Sequence, residues 1–209
     1  MNCSLAVRCV SDRLWSETLL TVSYYNTDVV YATRPALTNL RVLLSAAQIQ
    51  ARVREMGAEI DRDYPAGDLH LICILKGACF FLADLSRAIC RDVLVDFMGI
   101  SSYGKGQTTS GEVKVTKDLD ISVEGADLLV VEDIVDSGVT LTYLVHVLEQ
   151  RKPRSVRIAA LLDKPDRRQR PVEVSYVGFR IADEFVVGYG LDYAERYRNL
   201  PDICVLANP

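Results

Sequence analysis

VVEDIVDSGVTL, residues 130–141, decides how the rest of the chain is read. Leu128, Leu129, Val130 and Val131 form a continuous apolar run, the pattern of a strand covered on both faces in a parallel sheet. Glu132 and Asp133 follow at its carboxyl end, the edge where open α/β sheets bind their ligands. Two acids there suit a polyhydroxylated, metal-bearing ligand. Asp136, Ser137, Gly138, Val139 and Thr140 come next. Gly138 permits a tight turn with its N–H groups facing inward, and Ser137 and Thr140 add hydroxyls at the positive end of a helix that begins there. The cup so formed fits a phosphate, and the whole stretch reads as a sugar-phosphate site.

Taken singly, two acids before a turn are usually solvated, and an acid-serine-glycine turn is a common helix cap. The joint order is much rarer: apolar strand, acid pair, two spacers, acid, hydroxyl, glycine, any residue, threonine. It differs from the nucleotide P-loop, whose glycine-lysine-hydroxyl string after a longer glycine loop occurs nowhere in the chain.

Outward from this stretch the chain alternates helices and strands. Ser45 and Gln48 form a capping box, and Ile49, Val53, Met56 and Ile60 recur at helical spacing until Tyr64, Pro65 and Gly67 stop the helix. Leu69 to Leu75 reads as a strand, Ala78 to Cys90 as a helix with Phe81, Leu85 and Ile89 on one face, and Val93 to Met98 as a second strand. A polar stretch runs from Ser101 to Leu119. The strand at 128–131, a helix carrying Leu141, Leu144, Val145 and Leu148, and the strand Val156 to Leu162 repeat the cycle. The expected fold is α/β, a doubly wound and mostly parallel sheet. The β-like runs Val174 to Phe179 and Phe185 to Tyr189 are expected to build a small cap over its carboxyl edge. Residues 1–40 lack a helical period, a long apolar segment and transit-peptide bias, and read as an irregular extension.

At 209 residues, 49% hydrophobic and 25% charged, the chain suits one globular domain with a sizeable core. A net charge of −4 offers no global attraction to nucleic acid or anionic lipid, and no apolar run reaches spanning length. A small-molecule substrate, with neither nucleic acid nor membrane as partner, is the simpler expectation. The 6 cysteines are scattered without a CxxC pair and read as reduced thiols of a cytoplasmic protein. With His70 at a strand start and His146 in a helix pattern, a histidine-rich zinc centre is not expected.

Three further segments carry chemistry. Leu75, Lys76, Gly77 and Ala78 end the first core strand, so Lys76 shares a sheet edge with Glu132 and Asp133, and its ammonium beside backbone N–H groups suits a pyrophosphate. The loop from Ser102 and Tyr103 through Gly104 to Gly111 is rich in glycine and hydroxyls, apt for a flap that closes over a water-sensitive centre. Phe185 to Tyr193, with Arg198 beyond and Lys164 after the strand ending near Leu162, combines an aromatic ring, an ammonium donor and backbone carbonyls. Singly, Phe185 reads as core and Asp192 with Arg198 as a surface pair; together they suit a 6-oxopurine.

VVEDIVDSGVTL resembles the phosphoribosyl pyrophosphate signature of the type I phosphoribosyltransferases. With SSYGKGQTTSGEV, Lys164 and the 185–198 segment, the chain looks like the bacterial hypoxanthine and guanine members. The resemblance covers roughly residues 40 to 206 and implies a transferase domain at 41–209, with a C-terminal and N-terminal hood drawn mainly from 163–209. It implies magnesium as cofactor, phosphoribosyl pyrophosphate, hypoxanthine and guanine as partners, and a homo-oligomer, dimer or tetramer. By the same resemblance, Glu132 and Asp133 bind the ribose hydroxyls directly or through the metal, with Asp192 holding a second magnesium. Asp136, Ser137, Gly138, Val139 and Thr140 cradle the 5′-phosphate, while Lys76, Gly77, Ser102, Tyr103 and Arg198 receive pyrophosphate. Lys164 reads the purine O6, Phe185 stacks on the base, Val186 bonds its edge through the backbone, and Asp136 is the general base. The peptide joining the leucine and lysine that match Leu75 and Lys76 can be cis in this family. Two departures stand out: Val139 and Ala78 sit where some relatives have lysine and glycine. The rivals are a phosphoribosyltransferase for xanthine, adenine or orotate, and a nucleic-acid-binding regulator on the same fold.

Overall fold

The computed structural model describes residues 39–102 and 113–207. The expected 1–40 extension lies outside them but for its last two residues, as does Tyr103 with most of its loop. Two sheets organise the described residues. The larger has six strands in the order β4 (Val113–Lys117), β3 (Leu94–Ser102), β2 (Leu69–Leu75), β5 (Asp127–Val135), β6 (Ser155–Asp163), β7 (Tyr176–Arg180). All its pairings are parallel except β3 with β4.

Strand residues alternate between two apolar layers, as the period of two demands. Leu71, Cys73, Leu129, Val131, Ala159 and Leu161 face one way, packing with Ile49, Val53, Met56 and Ile60 of α1 (Ala46–Asp63) and Phe81 and Leu85 of α2 (Cys79–Ala88). Ile72, Ile74, Leu128, Val130, Ile158 and Ala160 face the other, under Leu141, Leu144 and Leu148 of α3 (Val139–Glu149). Because both faces are covered, the central strands are apolar at nearly every position, which is what made 128–131 readable. The capping box at α1 is present: Ser45 N–H donates to Gln48 Oε1 at 2.9 Å and Ser45 Oγ accepts from Gln48 N–H at 3.4 Å.

The smaller sheet pairs β1 (Leu40–Leu44) with β9 (Ile203–Leu206) and β9 with β8 (Val186–Val187), all antiparallel. The expected hood is present, and two other sequence expectations need correction. Within the hood, the strand Leu40–Leu44 comes from the amino-terminal side, as expected, and lies just ahead of the Ser45 cap. The run expected as cap at 174–179 supplies β7 instead, which extends the main sheet alongside β6. The polar stretch 101–119 contains β4, a short strand whose lysines mask its valines and whose place at the sheet's edge needs no second apolar face.

Candidate active site

The chain leaves β2 through α2 toward β3 on one side, and leaves neighbouring β5 through α3 toward β6 on the other. The diverging connections open a crevice at the carboxyl ends of β2 and β5, the place where doubly wound sheets bind ligands. Lys76 and Gly77 thereby come beside Glu132 and Asp133. The contact is close enough to require glycine: a Cβ on Gly77 would lie 1.6 Å from Asp133 Oδ2. The Leu75–Lys76 peptide bond is cis.

The acid pair is poorly satisfied. Glu132 Oε2 is buried and has no hydrogen-bond partner among the described residues; burial, then the adjacent Asp133 carboxylate, pushes the Glu132 carboxyl well above the usual range. Burial likewise pushes Asp133 up to about 6, against the Ile134 N–H donating to its Oδ1 at 2.8 Å and the positive charge of Arg198. A buried acceptor without a donor signals a missing partner, and two adjacent carboxyls both pushed up in a crevice mark a functional site.

Beyond them the backbone turns through Gly138, whose φ of 79° is left-handed and whose Cβ would lie 2.6 Å from the Arg170 carbonyl. Ser137 O accepts from the N–H groups of Gln169 at 2.9 Å and Arg170 at 3.1 Å, fixing the turn. Gly138 caps α3, so the first-turn N–H groups have no intrahelical acceptors; Val139 N–H reaches Ser137 Oγ at 3.4 Å. A cavity opens there, lined by Glu132, Asp136, Ser137, Gly138 and Thr140 among others. Asp136 faces a cation, with Arg167 Nε 3.1 Å from its Oδ1.

Opposite lie Lys164 and the 185–198 segment, the residues expected from the sequence to meet a purine. Phe185 is 43% exposed and meets Tyr193 edge-on at 5.7 Å, so it is an open aromatic platform and not the core residue it resembles in isolation. Val186 is buried in β8. Lys164 follows directly after β6 and is buried, its Nζ 3.5 Å from Asp183 Oδ1. Over the 75–78 loop, Arg198 pairs with Asp192 at 2.7 Å and donates to the Gly190 carbonyl at 2.8 Å, while Lys76 pairs with Glu195 at 3.0 Å. A Cβ on Gly190 would lie 2.0 Å from the Gly77 carbonyl, so the hood loop rests on the β2 loop. Ser102 ends β3 at the same edge.

The sequence-derived residues within the described chain thus gather at one sheet edge. Reading the sequence missed Glu195, Asp183 and Arg167, which neutralise Lys76, Lys164 and Asp136. These pairings join separate elements and leave no trace in local spacing. It also missed Asp84 on α2, which accepts from the Tyr189 hydroxyl at 2.6 Å and ties the hood to the main domain.

Among the described residues no three His, Cys, Asp or Glu side chains converge on one point as an all-protein metal cage. Magnesium needs none, since it is typically held by one or two carboxylates, water and substrate phosphates. The unpartnered Glu132 Oε2 beside Asp133 fits that mode.

Residues 43–194 match the phosphoribosyl transferase domain model. The chain is 53% identical over 166 residues to the hypoxanthine-guanine phosphoribosyltransferase of Bacillus subtilis, covering 79% of this chain and 92% of that one. A hypoxanthine-guanine phosphoribosyltransferase of Bacillus anthracis, crystallised with HEPES in its active site, superposes with a TM-score of 0.77 at 46% identity, covering 80% of this chain and 98% of the other. A hypoxanthine phosphoribosyltransferase of Staphylococcus aureus superposes with 0.78 at 46% identity, covering 81% and 92%.

Proposed function

This chain belongs to the phosphoribosyl transferase family and is an enzyme of its hypoxanthine-guanine type, and from that premise we propose the reaction and the residues that perform it. It transfers the 5-phosphoribosyl group of phosphoribosyl pyrophosphate to N9 of hypoxanthine or guanine, a purine-salvage step in the cytoplasm that yields inosine or guanosine monophosphate. The N9–C1′ bond forms, the bond from C1′ to the pyrophosphate oxygen breaks, and the N7 proton leaves.

The observation that carries this reading is the unpartnered Glu132 Oε2 beside Asp133, at the lip of a cup of free helix N–H groups. Ribose hydroxyls donate to those carboxylates. The 5′-phosphate lies on the N–H groups of the 137–140 turn, with the Ser137 and Thr140 hydroxyls beside it. Lys76, Gly77, Arg198, Ser102 and Tyr103 take pyrophosphate. Lys164 donates to the purine O6, Phe185 stacks on the ring, and the Val186 backbone bonds its edge. Asp136 accepts the N7 proton, a step that contributes about 100-fold to 10,000-fold. Positioning and electrostatic stabilisation supply the larger share. Glu132 and Asp133 would hold magnesium, and Asp192 a second ion, whose charge would neutralise the leaving pyrophosphate. We assign the transferase domain to residues 41–209, leaving 1–40 as an extension, and expect a dimer or tetramer.

Purified protein incubated with magnesium, phosphoribosyl pyrophosphate and each base in turn tests the proposal. Turnover of hypoxanthine and guanine is expected. Turnover confined to xanthine, adenine or orotate, or tight nucleic-acid binding with no turnover at all, would overturn it.

A further inference from the structure

Four charged side chains of alternating sign run in a line from the purine side of the crevice to its phosphate side. Lys164 Nζ lies 3.5 Å from Asp183 Oδ1, Asp183 Oδ2 lies 3.2 Å from Arg167 Nη1, and Arg167 Nε lies 3.1 Å from Asp136 Oδ1. Lys164 and Arg167 bracket one 3-10 turn, Pro165–Arg167, and Arg167 N–H donates to the Lys164 carbonyl at 3.2 Å. Asp183 stands in the loop two residues before Phe185.

We propose that Asp183 and Arg167 are positioning residues that couple purine recognition by Lys164 to the carboxylate of Asp136. The inference rests on the functional reading above. The Lys164 side chain is 9% exposed, so its ammonium needs a counter-charge, and Asp183 is its carboxylate partner among the described residues. At 3.5 Å that partner balances the charge and leaves ammonium donors free for a carbonyl oxygen. Arg167 grips Asp183 with one arm and Asp136 Oδ1 with the other nitrogen, which leaves Oδ2 of Asp136 to face the incoming N7 proton. Arg167 and Asp183 are each half-exposed, so the line contributes little to folding and acts by orientation.

Steady-state assays on the full chain, with hypoxanthine and phosphoribosyl pyrophosphate varied separately, test this on D183N, R167Q, R167K and the double variant D183N/R167Q. D183N should raise the KM for hypoxanthine about tenfold while the donor KM stays within about twofold. R167Q should lower kcat about tenfold, R167K should recover most of it, and the double variant should fall short of the product of the single effects, because both act on one line. Purine and donor KM rising together, no recovery in R167K, fully multiplicative losses, or variants equal to the parent would each overturn the proposal. A parent that turns over no purine removes the underlying reading as well.

Discussion

The two ends of β5 treat their acids in opposite ways. At the amino edge Asp127 is fully engaged: Arg154 Nε and Ser155 Oγ donate to its Oδ1 at 2.9 and 2.7 Å, Arg154 also grips Oδ2, and these bonds hold its carboxyl below the usual range. Asp96 nearby is buried, which opposes ionisation, but the N–H groups of Phe97, Asp120 and Ile121 more than offset this and keep it low as well. At the carboxyl end Glu132 Oε2 has no donor among the described residues and Asp133 is met only by backbone N–H groups, and desolvation pushes both up. Asp127 and Asp96 hold the fold; the Glu132–Asp133 pair costs stability until something arrives to complete it, whereas Asp163 at the end of β6 is already paired by Arg168 and Arg180.

The sharpest way to break this contrast is to act on the carboxyl edge alone. D136N is expected to lower the rate of the chemical step by about 100-fold to 10,000-fold while donor affinity stays near that of the parent, read by single-turnover kinetics and equilibrium binding. Wild-type turnover in that variant would remove Asp136 as the base. G77A drives a methyl into Asp133 Oδ2 and, because small misplacements in a catalytic site are costly, is expected to lose about 100-fold in kcat/KM. An active G77A would mean the β2 loop can move away without consequence.

Stability separates the edges next. Chemical denaturation of metal-free protein should show D127N destabilised by about 1 to 3 kcal/mol through lost charge-assisted bonds. D133N should be stabilised at about pH 8, by at most about 3 kcal/mol, since each pKa unit is worth about 1.4 kcal/mol. Equal signs for the two variants would erase the distinction. The smallest effect is in the pH profile. Asp133 has a folded-state pKa raised from 3.8 to about 6, so between those values the folded chain binds more protons than the unfolded one. Its contribution therefore favours folding at the acid end and is lost as pH rises through that window. Asp127, held low, contributes above its ordinary carboxylate range and is lost as pH falls. The parent's metal-free melting temperature should accordingly decline more from about pH 5 to pH 7 than that of D133N. Magnesium with phosphoribosyl pyrophosphate should raise it most at the alkaline end.

Much of the carboxyl edge was legible in the sequence because its signals are local. A run covered on both faces announces β5, an acid pair marks its end, and Gly138 marks the turn. The capping box and the apolar face of α1 were equally plain. What escaped was set by distant partners. β1 is a strand because β9 lies beside it, and β7 joins the main sheet because β6 offers an edge, although its sequence suits a cap equally well. Glu195, Asp183 and Arg167 carry no motif; only the folded chain brings them to Lys76, Lys164 and Asp136. Phe185 was readable as an aromatic in a purine-class segment, yet its exposure could be learned only from the hood's geometry.

A crystal structure of this chain with magnesium and phosphoribosyl pyrophosphate tests the central claim most directly. The account predicts the 5′-phosphate within hydrogen-bond distance of the 137–140 turn, with the ribose or its metal on Glu132 Oε2 and Asp133. A donor bound away from that turn, with Glu132 Oε2 still unpartnered, would contradict it.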